Sequence, residues 1–310
     1  MTSKPVIVFG PTGKIASVAA RTAREHGAKV ILAMRDTQKS IPGLSSEEEA
    51  AGGYERMQAD LSQPETVSAV IKKTGAKHAF FYLIFSAKDR MKATIQAMKD
   101  AGLELPIFLS SYTITKDVQD VEAEDLIPYA HAQVELSLQE IFTKDHYIAI
   151  RPGNFATNTL RFAPGVKEGE VPMPYPEAKG DMITPTDMGR VSGNVLVKGK
   201  QYGEYYVYLF GPDMVSGTAA METIGGVLNK SIKINPLYGD AATEHMTLTM
   251  GMGETFAAYF NKVYENMSRG DDRVTGKPWF AEGRANVEKY SGYKAQTYRE
   301  WVEENKEAFT

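Results

Sequence analysis

Two glycines three residues apart open the most chemically informative stretch of the chain, Gly10-Pro11-Thr12-Gly13-Lys14-Ile15-Ala16. Short, apolar, β-branched residues 5–9 precede it, and a helix-forming run over 15–26 follows. A strand, a glycine turn and a helix start bring unpaired backbone N–H groups and the positive end of a helix dipole to one point. Phosphate binds at such a point. Gly10, Pro11, Thr12, Gly13, Lys14 and Ile15 are therefore expected to cradle a dinucleotide pyrophosphate. The spacing is Gly-x-x-Gly-x-x-Ala, not the commoner Gly-x-Gly-x-x-Gly, so the strand-before, helix-after context carries the inference.

A second strand is expected over 29–34, ending at Arg35-Asp36. The tip of that strand faces the adenosine ribose, where an acidic residue favours NAD and an arginine favours the phosphate of NADP. Arg35 comes first and its guanidinium can pair with phosphate through two parallel bonds, so NADP(H) is the expected cofactor. A solvated arginine at a strand end is the alternative. Asp60 and Leu61 follow the third strand and are expected near the adenine, although Asp60 or Ser62 also suits a helix cap.

Strand and helix patterns alternate through the first half, with strands expected over 54–58, 78–84, 106–110 and 146–150. This is the mark of an α/β doubly wound parallel sheet of Rossmann type. Beyond Arg151 the rhythm breaks: residues 155–180 are rich in proline and glycine and show no clear period. A helix over 185–196 and a strand over 204–209 return to the sheet, and the chain beyond about 238 reads as mostly helical. The expected division is a cofactor domain of 1–155 continued by 182–236, with 156–181 and 237–310 forming a smaller, mainly helical substrate cap.

Bulk composition sets limits. The 310 residues carry a formal net charge of −4 with both signs mixed, so the basic footprint of a nucleic-acid binder is missing. There is no cysteine, which removes disulfides, thiolate nucleophiles, iron–sulfur clusters and zinc–thiolate sites together. The five histidines lack metal-ligand spacing, and the longest apolar run, 79–85, is too short to span a bilayer. With a strand beginning near residue 5, a cytoplasmic protein without a leader is expected. The oligomeric state is left open.

Five segments then converge on one family: Gly10-x-x-Gly13-x-x-Ala16, Met34-Arg35-Asp36, Phe108-Leu109-Ser110-Ser111, Arg151-Pro152-Gly153-Asn154-Phe155 and Thr184-Pro185-Thr186-Asp187-Met188-Gly189. In this order and spread they resemble the NmrA-like branch of the atypical short-chain dehydrogenase/reductases. The resemblance implies an NADP(H)-binding Rossmann protein. Some members reduce quinones or natural-product intermediates, and others are redox-sensing regulators. It further implies that Ser110, Pro152, Asn154 and Phe155 border the cofactor, with Ser111 and Tyr112 near the reacting groups.

The departure from the catalytic pattern is as informative. Active relatives carry Tyr-x-x-x-Lys on the helix after the fifth strand, the tyrosine donating a proton while lysine lowers its pKa. In one frame Tyr129 keeps its role and Gln133 replaces lysine; in the other Ile127 and His131 occupy the two positions. The expected core stripe Ala130, Val134, Leu138 and Ile141 leaves His131 beside it and turns Tyr129 and Gln133 away, which favours the second frame. Neither frame restores the lysine. His131 becomes the candidate acid or ribose partner, with a packed histidine at a helix–sheet junction as the alternative.

The leading expectation is an NADPH-dependent reductase of a bulky, activated acceptor (an iminium, quinone or conjugated carbonyl), in specialised metabolism. The alternatives are an NADP(H) sensor that regulates a partner and a non-redox isomerase that keeps the nucleotide as scaffold. Met246, Met250, Met252, Phe256, Tyr259 and Phe260 combine flexible thioethers with aromatics, as a lid over a bulky apolar or aromatic substrate or as an ordinary core helix.

Overall fold

The structure is a computed structural model and describes residues 4–270 and 276–310. The alternating half of the chain runs β1 (Pro5–Phe9), α1 (Lys14–Glu25), β2 (Lys29–Met34), α2 (Ser46–Ala51), β3 (Tyr54–Gln58) and α3 (Pro64–Thr74). It continues through β4 (His78–Tyr82), α4 (Lys92–Asp100), β5 (Leu105–Leu109), α5 (Leu126–Phe142) and β6 (Ile148–Pro152). Next come α6 (Ala163–Glu168), β7 (Glu170–Pro174), β8 (Lys179–Gly180), α7 (Pro185–Lys198) and β9 (Tyr206–Leu209). The remainder holds β10 (Val215–Ser216), α8 (Gly217–Leu228), β11 (Lys233–Leu237), α9 (Gly239–Leu248), α10 (Glu254–Ser268), α11 (Pro278–Ser291) and α12 (Tyr298–Glu304).

Seven parallel strands in the order β3-β2-β1-β4-β5-β6-β9 form the Rossmann-like sheet that the alternation predicts. The order reverses between β1 and β4, and in such sheets the crevice at the strands' carboxyl ends binds ligands. Gly10 follows β1 and Tyr82 closes β4, so both stand at that switch point.

The chain forms two compact units. The first comprises Met1–Pro152, Pro185–Leu209 and Ala285–Lys294. Its largest core joins Ile7, Phe9, Ile31, Phe81, Phe108 and Tyr147 to Ala130, Val134, Leu138 and Phe142 of α5. Three of the four expected α5 core positions are buried; Phe142 takes the fourth place, and Ile141 packs at the margin. Helix α1 buries the small residues Ala16, Ala19, Ala20 and Ala23. Gly189 and Gly193 of α7 let that face come close: a Cβ on Gly189 would lie 2.4 Å from Val18 Cβ, and one on Gly193 would lie 2.5 Å from the Ala19 carbonyl oxygen.

The second unit comprises Gly153–Thr184, Phe210–Arg284 and Ala295–Thr310. Two small sheets, β11 with β7 in parallel and β10 with β8 antiparallel, sit among its helices. Proline hides the first pair from a sequence reading: β7 carries Pro172 and Pro174 and β11 carries Pro236, a residue that normally argues against a paired strand. One core gathers Met173, Met221, Ile224, Tyr298, Trp301 and Phe309, and a second gathers Tyr175, Ala242, Met246 and Ala257. Among the described residues no helix is long and apolar enough to cross a membrane.

Candidate functional site

The glycine turn has the geometry of an anion cradle. Gly10 has φ +65, a left-handed conformation that side chains disfavour. Its N–H donates to the Ala33 carbonyl and its own carbonyl accepts from Gly13 N–H, both at 2.9 Å. Gly13 is the N-cap of α1 and offers no side chain, so the first-turn N–H groups have no side-chain acceptor. Pro11 is buried, Thr12 and Ile15 are half-buried, and Gly13 and Lys14 are exposed.

Around the ends of β2, β3 and β4 stand Arg35, Asp60 and Tyr82. Arg35 is exposed and makes no ion pair among the described residues. Asp36 accepts Gln38 N–H at 2.9 Å and is occupied in its own turn. Asp60 Oδ1 accepts the N–H and hydroxyl of Ser62 at 2.8 and 2.7 Å. Burial pushes the Asp60 carboxyl up, but those bonds and Arg35 outweigh it and hold its pKa low. The Leu61 side chain is buried in the core, and its carbonyl accepts from Thr94 Oγ1 at 2.9 Å. The Tyr82 ring covers the glycine turn, 2.5 Å from where a Gly10 Cβ would sit. Burial raises the Tyr82 pKa, Arg35 lowers it, and Asp60 adds to the rise.

At the ends of β5 and β6 the expected polar residues divide. Ser110, expected to border the cofactor, donates its hydroxyl inward to Glu135 Oε1 at 2.6 Å. Glu135 is wholly buried and binds Arg151 through Nε at 3.0 Å and Nη2 at 2.7 Å. Burial works against the Arg151 charge, and Glu135 more than offsets it, raising the guanidinium's pKa. Tyr208 extends the network, accepting from Arg151 Nη1 at 3.1 Å and donating to the Ile114 carbonyl at 2.7 Å. Ser111 Oγ lies 2.8 Å from Thr113 Oγ1, and Tyr112 N–H donates to the Pro152 carbonyl at 3.1 Å.

His131 projects from α5 between two aromatic rings, 5.9 Å from Phe85 and 6.1 Å from Phe108 between centroids. Its Nδ1 lies 2.8 Å from the Ile127 carbonyl, which can only accept, so the proton sits on Nδ1. Burial lowers its pKa against the opposing pull of that carbonyl and of Glu135. A neutral ring of this tautomer leaves the Nε2 lone pair as its working group. Tyr129 instead packs with Ile114, Val118, Val121 and Ala132 in a separate cluster.

In the second unit Asn154 N–H donates to Asp181 Oδ1 at 2.8 Å, and Gly211 N–H to Asp181 Oδ2 at 2.9 Å. Asp181 is buried with backbone donors around it, and burial lifts its pKa to about 6 despite them. Phe155 bridges to Ile183. A cleft here contains about 660 Å³ of empty space, its open mouth included, and is lined in part by Asn154, Asn158, Arg161, Lys179 and Met182. Of the methionine-rich segment, Met246 is core, Met252 and Phe260 pack against that core, and Met250 lines the cleft. Phe256 is exposed.

A family model for the NmrA-like family matches residues 2–298. The chain belongs to the NmrA-like family. A curated relative from Gibberella fujikuroi, the nitrogen metabolite regulation-like protein bik4, is 32% identical over 96% of this chain and 95% of its own length. From Streptomyces griseus, the (4-alkanoyl-5-oxo-2,5-dihydrofuran-3-yl)methyl phosphate reductase is 23% identical over 98% of this chain and 99% of its own. The solved NADPH-dependent quinone oxidoreductase of Escherichia coli, complexed with NADPH, shares the fold at TM-score 0.73 and 16% identity, covering 97% of this chain and 99% of that one.

Three residues of this NmrA-like chain escaped the sequence reading. Tyr82 ends an apolar run and reads as a strand residue; only the β1–β4 neighbourhood brings it to Gly10. Glu135 has a usable signal, since it directly follows the core residue Val134 on α5 and no solvated face begins there. Asp181 has none, because its partners Asn154 and Gly211 are remote in sequence.

Proposed function

We propose that this NmrA-like protein is an NADPH-dependent reductase of a bulky, activated acceptor such as a quinone, an iminium or a conjugated carbonyl. The observation that carries the reading is the start of α1 at Gly13, which has no side-chain cap, together with the exposed guanidinium of Arg35, which makes no ion pair among the described residues. Loop and helix N–H groups would hold the pyrophosphate, and Arg35 the ribose phosphate that distinguishes NADP from NAD. Asp60 and Tyr82 border the same sheet end. When bound, NADPH supplies the hydride.

The chain's own groups then restrict the acceptor. His131 is held neutral with its proton committed to Ile127, so it accepts a hydrogen bond from a hydroxyl and is a poor acid. With no lysine in either frame of α5, tyrosine acidification of the usual kind is missing. Iminium ions and quinones require little proton assistance during hydride transfer. Ser111 and Tyr112 supply further hydroxyls at the end of β5. The relative named (4-alkanoyl-5-oxo-2,5-dihydrofuran-3-yl)methyl phosphate reductase supports a reductase reading, and the fold shared with an NADPH-dependent quinone oxidoreductase is compatible with it.

The 32% identity to a nitrogen metabolite regulation-like protein favours a second reading, an NADP(H) sensor without turnover. One set of titrations separates them: NADP, NADPH, NAD and NADH by calorimetry, on wild type and Arg35→Ala, with NADPH oxidation followed against quinones and iminium dyes. The reductase reading expects NADP(H) preference, a drop of about tenfold or more in the variant, and turnover with some acceptor. Binding without turnover, tighter for one redox form, moves the assignment to a sensor. No dinucleotide binding overturns both.

A further inference from the structure

We propose that the cleft of the second unit selects an amphipathic anion: a flat aromatic or conjugated body carrying one carboxylate, sulfonate or phosphate group. Its role as a substrate rests on the reductase reading; its binding does not.

The apolar part of the cleft is built from thioethers. Met173, Met182, Met221, Met250 and Met267 line it with Tyr264. Unbranched, polarisable side chains of this kind adapt to a flat ring and make favourable sulfur–aromatic contacts. Such a lining alone would suit a neutral hydrocarbon.

Charge decides otherwise. Arg161 and Lys179 both line the cleft, and among the described residues no aspartate or glutamate does. The chain has 39 acidic residues against 35 basic ones, so this imbalance runs against its composition. Among the described residues neither cation makes an ion pair. Arg161 is half-buried and its Nε donates to the Asn158 carbonyl at 2.8 Å, which fixes the direction of the fork. Half-burying a guanidinium that has no acidic partner among the described residues is unfavourable, and an anionic ligand offsets that cost. Lys179 is exposed and adds a second positive charge. Asn154 supplies a donor that is little used, since among the described residues its Nδ2 donates only to the Met182 thioether, at 3.4 Å.

Calorimetry on the full chain without NADPH tests the proposal with three probes of one ring system: anthraquinone carboxylate, anthraquinone sulfonate and neutral hydroxymethyl anthraquinone. Both anions are expected to bind about tenfold tighter than the neutral compound. Arg161→Gln combined with Lys179→Gln should abolish that advantage and leave the neutral compound's affinity unchanged. Met250→Trp, at a half-buried position on the cleft wall, should weaken all three. A carboxylate preferred over sulfonate indicates the planar Arg161 fork as the main contact, and equal affinities indicate both cations acting as point charges. The proposal is overturned if the neutral compound binds as well as the anions, if the charge variants leave the anions unaffected, if Met250→Trp changes nothing, or if no probe binds. NADPH oxidation is measured separately, so failed turnover with intact anion selectivity removes the reductase reading and leaves the anion site standing.

Discussion

Glu135 and Arg151 form a bidentate ion pair, at 3.0 and 2.7 Å, that is sealed from solvent beneath the ends of β5 and β6. Ser110, Tyr208 and the Ile114 carbonyl complete the shell, and the guanidinium lies 4.5 Å from the Tyr206 ring centroid. The pair ties α5, which carries His131, to β6, and the Ser110 hydroxyl extends the tie to the end of β5. Removing one partner strands a buried charge. Glu135→Gln should cost about 3–5 kcal/mol in urea unfolding. Adding Arg151→Met to that variant should recover part of the loss, because the orphaned guanidinium goes with it. A cost under about 1 kcal/mol for Glu135→Gln would show that the pair does not hold these elements.

Asp181 should imprint a pH dependence on stability. Its folded pKa of about 6 exceeds the ordinary 3.8, so the folded state binds more protons than the unfolded chain between those values. Stability from this group is therefore complete below about pH 4 and declines as pH rises to about 6, by about 3 kcal/mol in total. Asp181→Asn cannot accept from both Asn154 and Gly211, so it is less stable throughout and lacks this step. Unfolding curves of wild type and variant from pH 4 to 7 isolate the difference; parallel pH profiles would refute the assignment.

His131 should remain neutral and Nδ1-protonated through the physiological range. Nitrogen-detected NMR of the imidazole is expected to show that tautomer and a midpoint below 6.5. The proton-binding difference makes stability fall as pH drops below the unfolded-state value, because the unfolded histidine charges first. A ring carrying its proton on Nε2 would rule out the acceptor role given to that nitrogen.

Gly189→Ala sets two effects against each other. Helix propensity favours alanine by about 1 kcal/mol. The new Cβ would stand 2.4 Å from Val18 Cβ and 2.8 Å from the Ile15 carbonyl oxygen, and overpacking of that kind costs about 1–3 kcal/mol. The nearest atoms are Val18 Cβ and the Ile15 backbone oxygen, which cannot swing aside as the tip of a flexible side chain would. The contact should win, with net destabilisation in thermal unfolding and weaker dinucleotide binding as α1 shifts. A variant more stable than wild type would mean that α7 moves aside freely.

Local patterning determined the sheet. Apolar runs such as Val6–Phe9 and Lys29–Met34, the glycine turn between them and the proline-led start of α7 each carry their signal within a few residues, because periodicity reports how a short segment meets the core. Arg35 at a strand end and His131 beside the Ala130, Val134, Leu138 stripe were legible for the same reason. Tertiary structure decided what no local window contains. Ser110 turned inward because a buried carboxylate 25 residues away required a donor. Tyr82 reached the glycine turn through the pairing of β1 with β4, and Asp181 reached Asn154 across 27 residues. The methionine cleft with its two cations draws on segments from 154 to 267. Each of these depends on contacts between distant segments, whose closeness is set by packing the whole chain and leaves no period in the sequence.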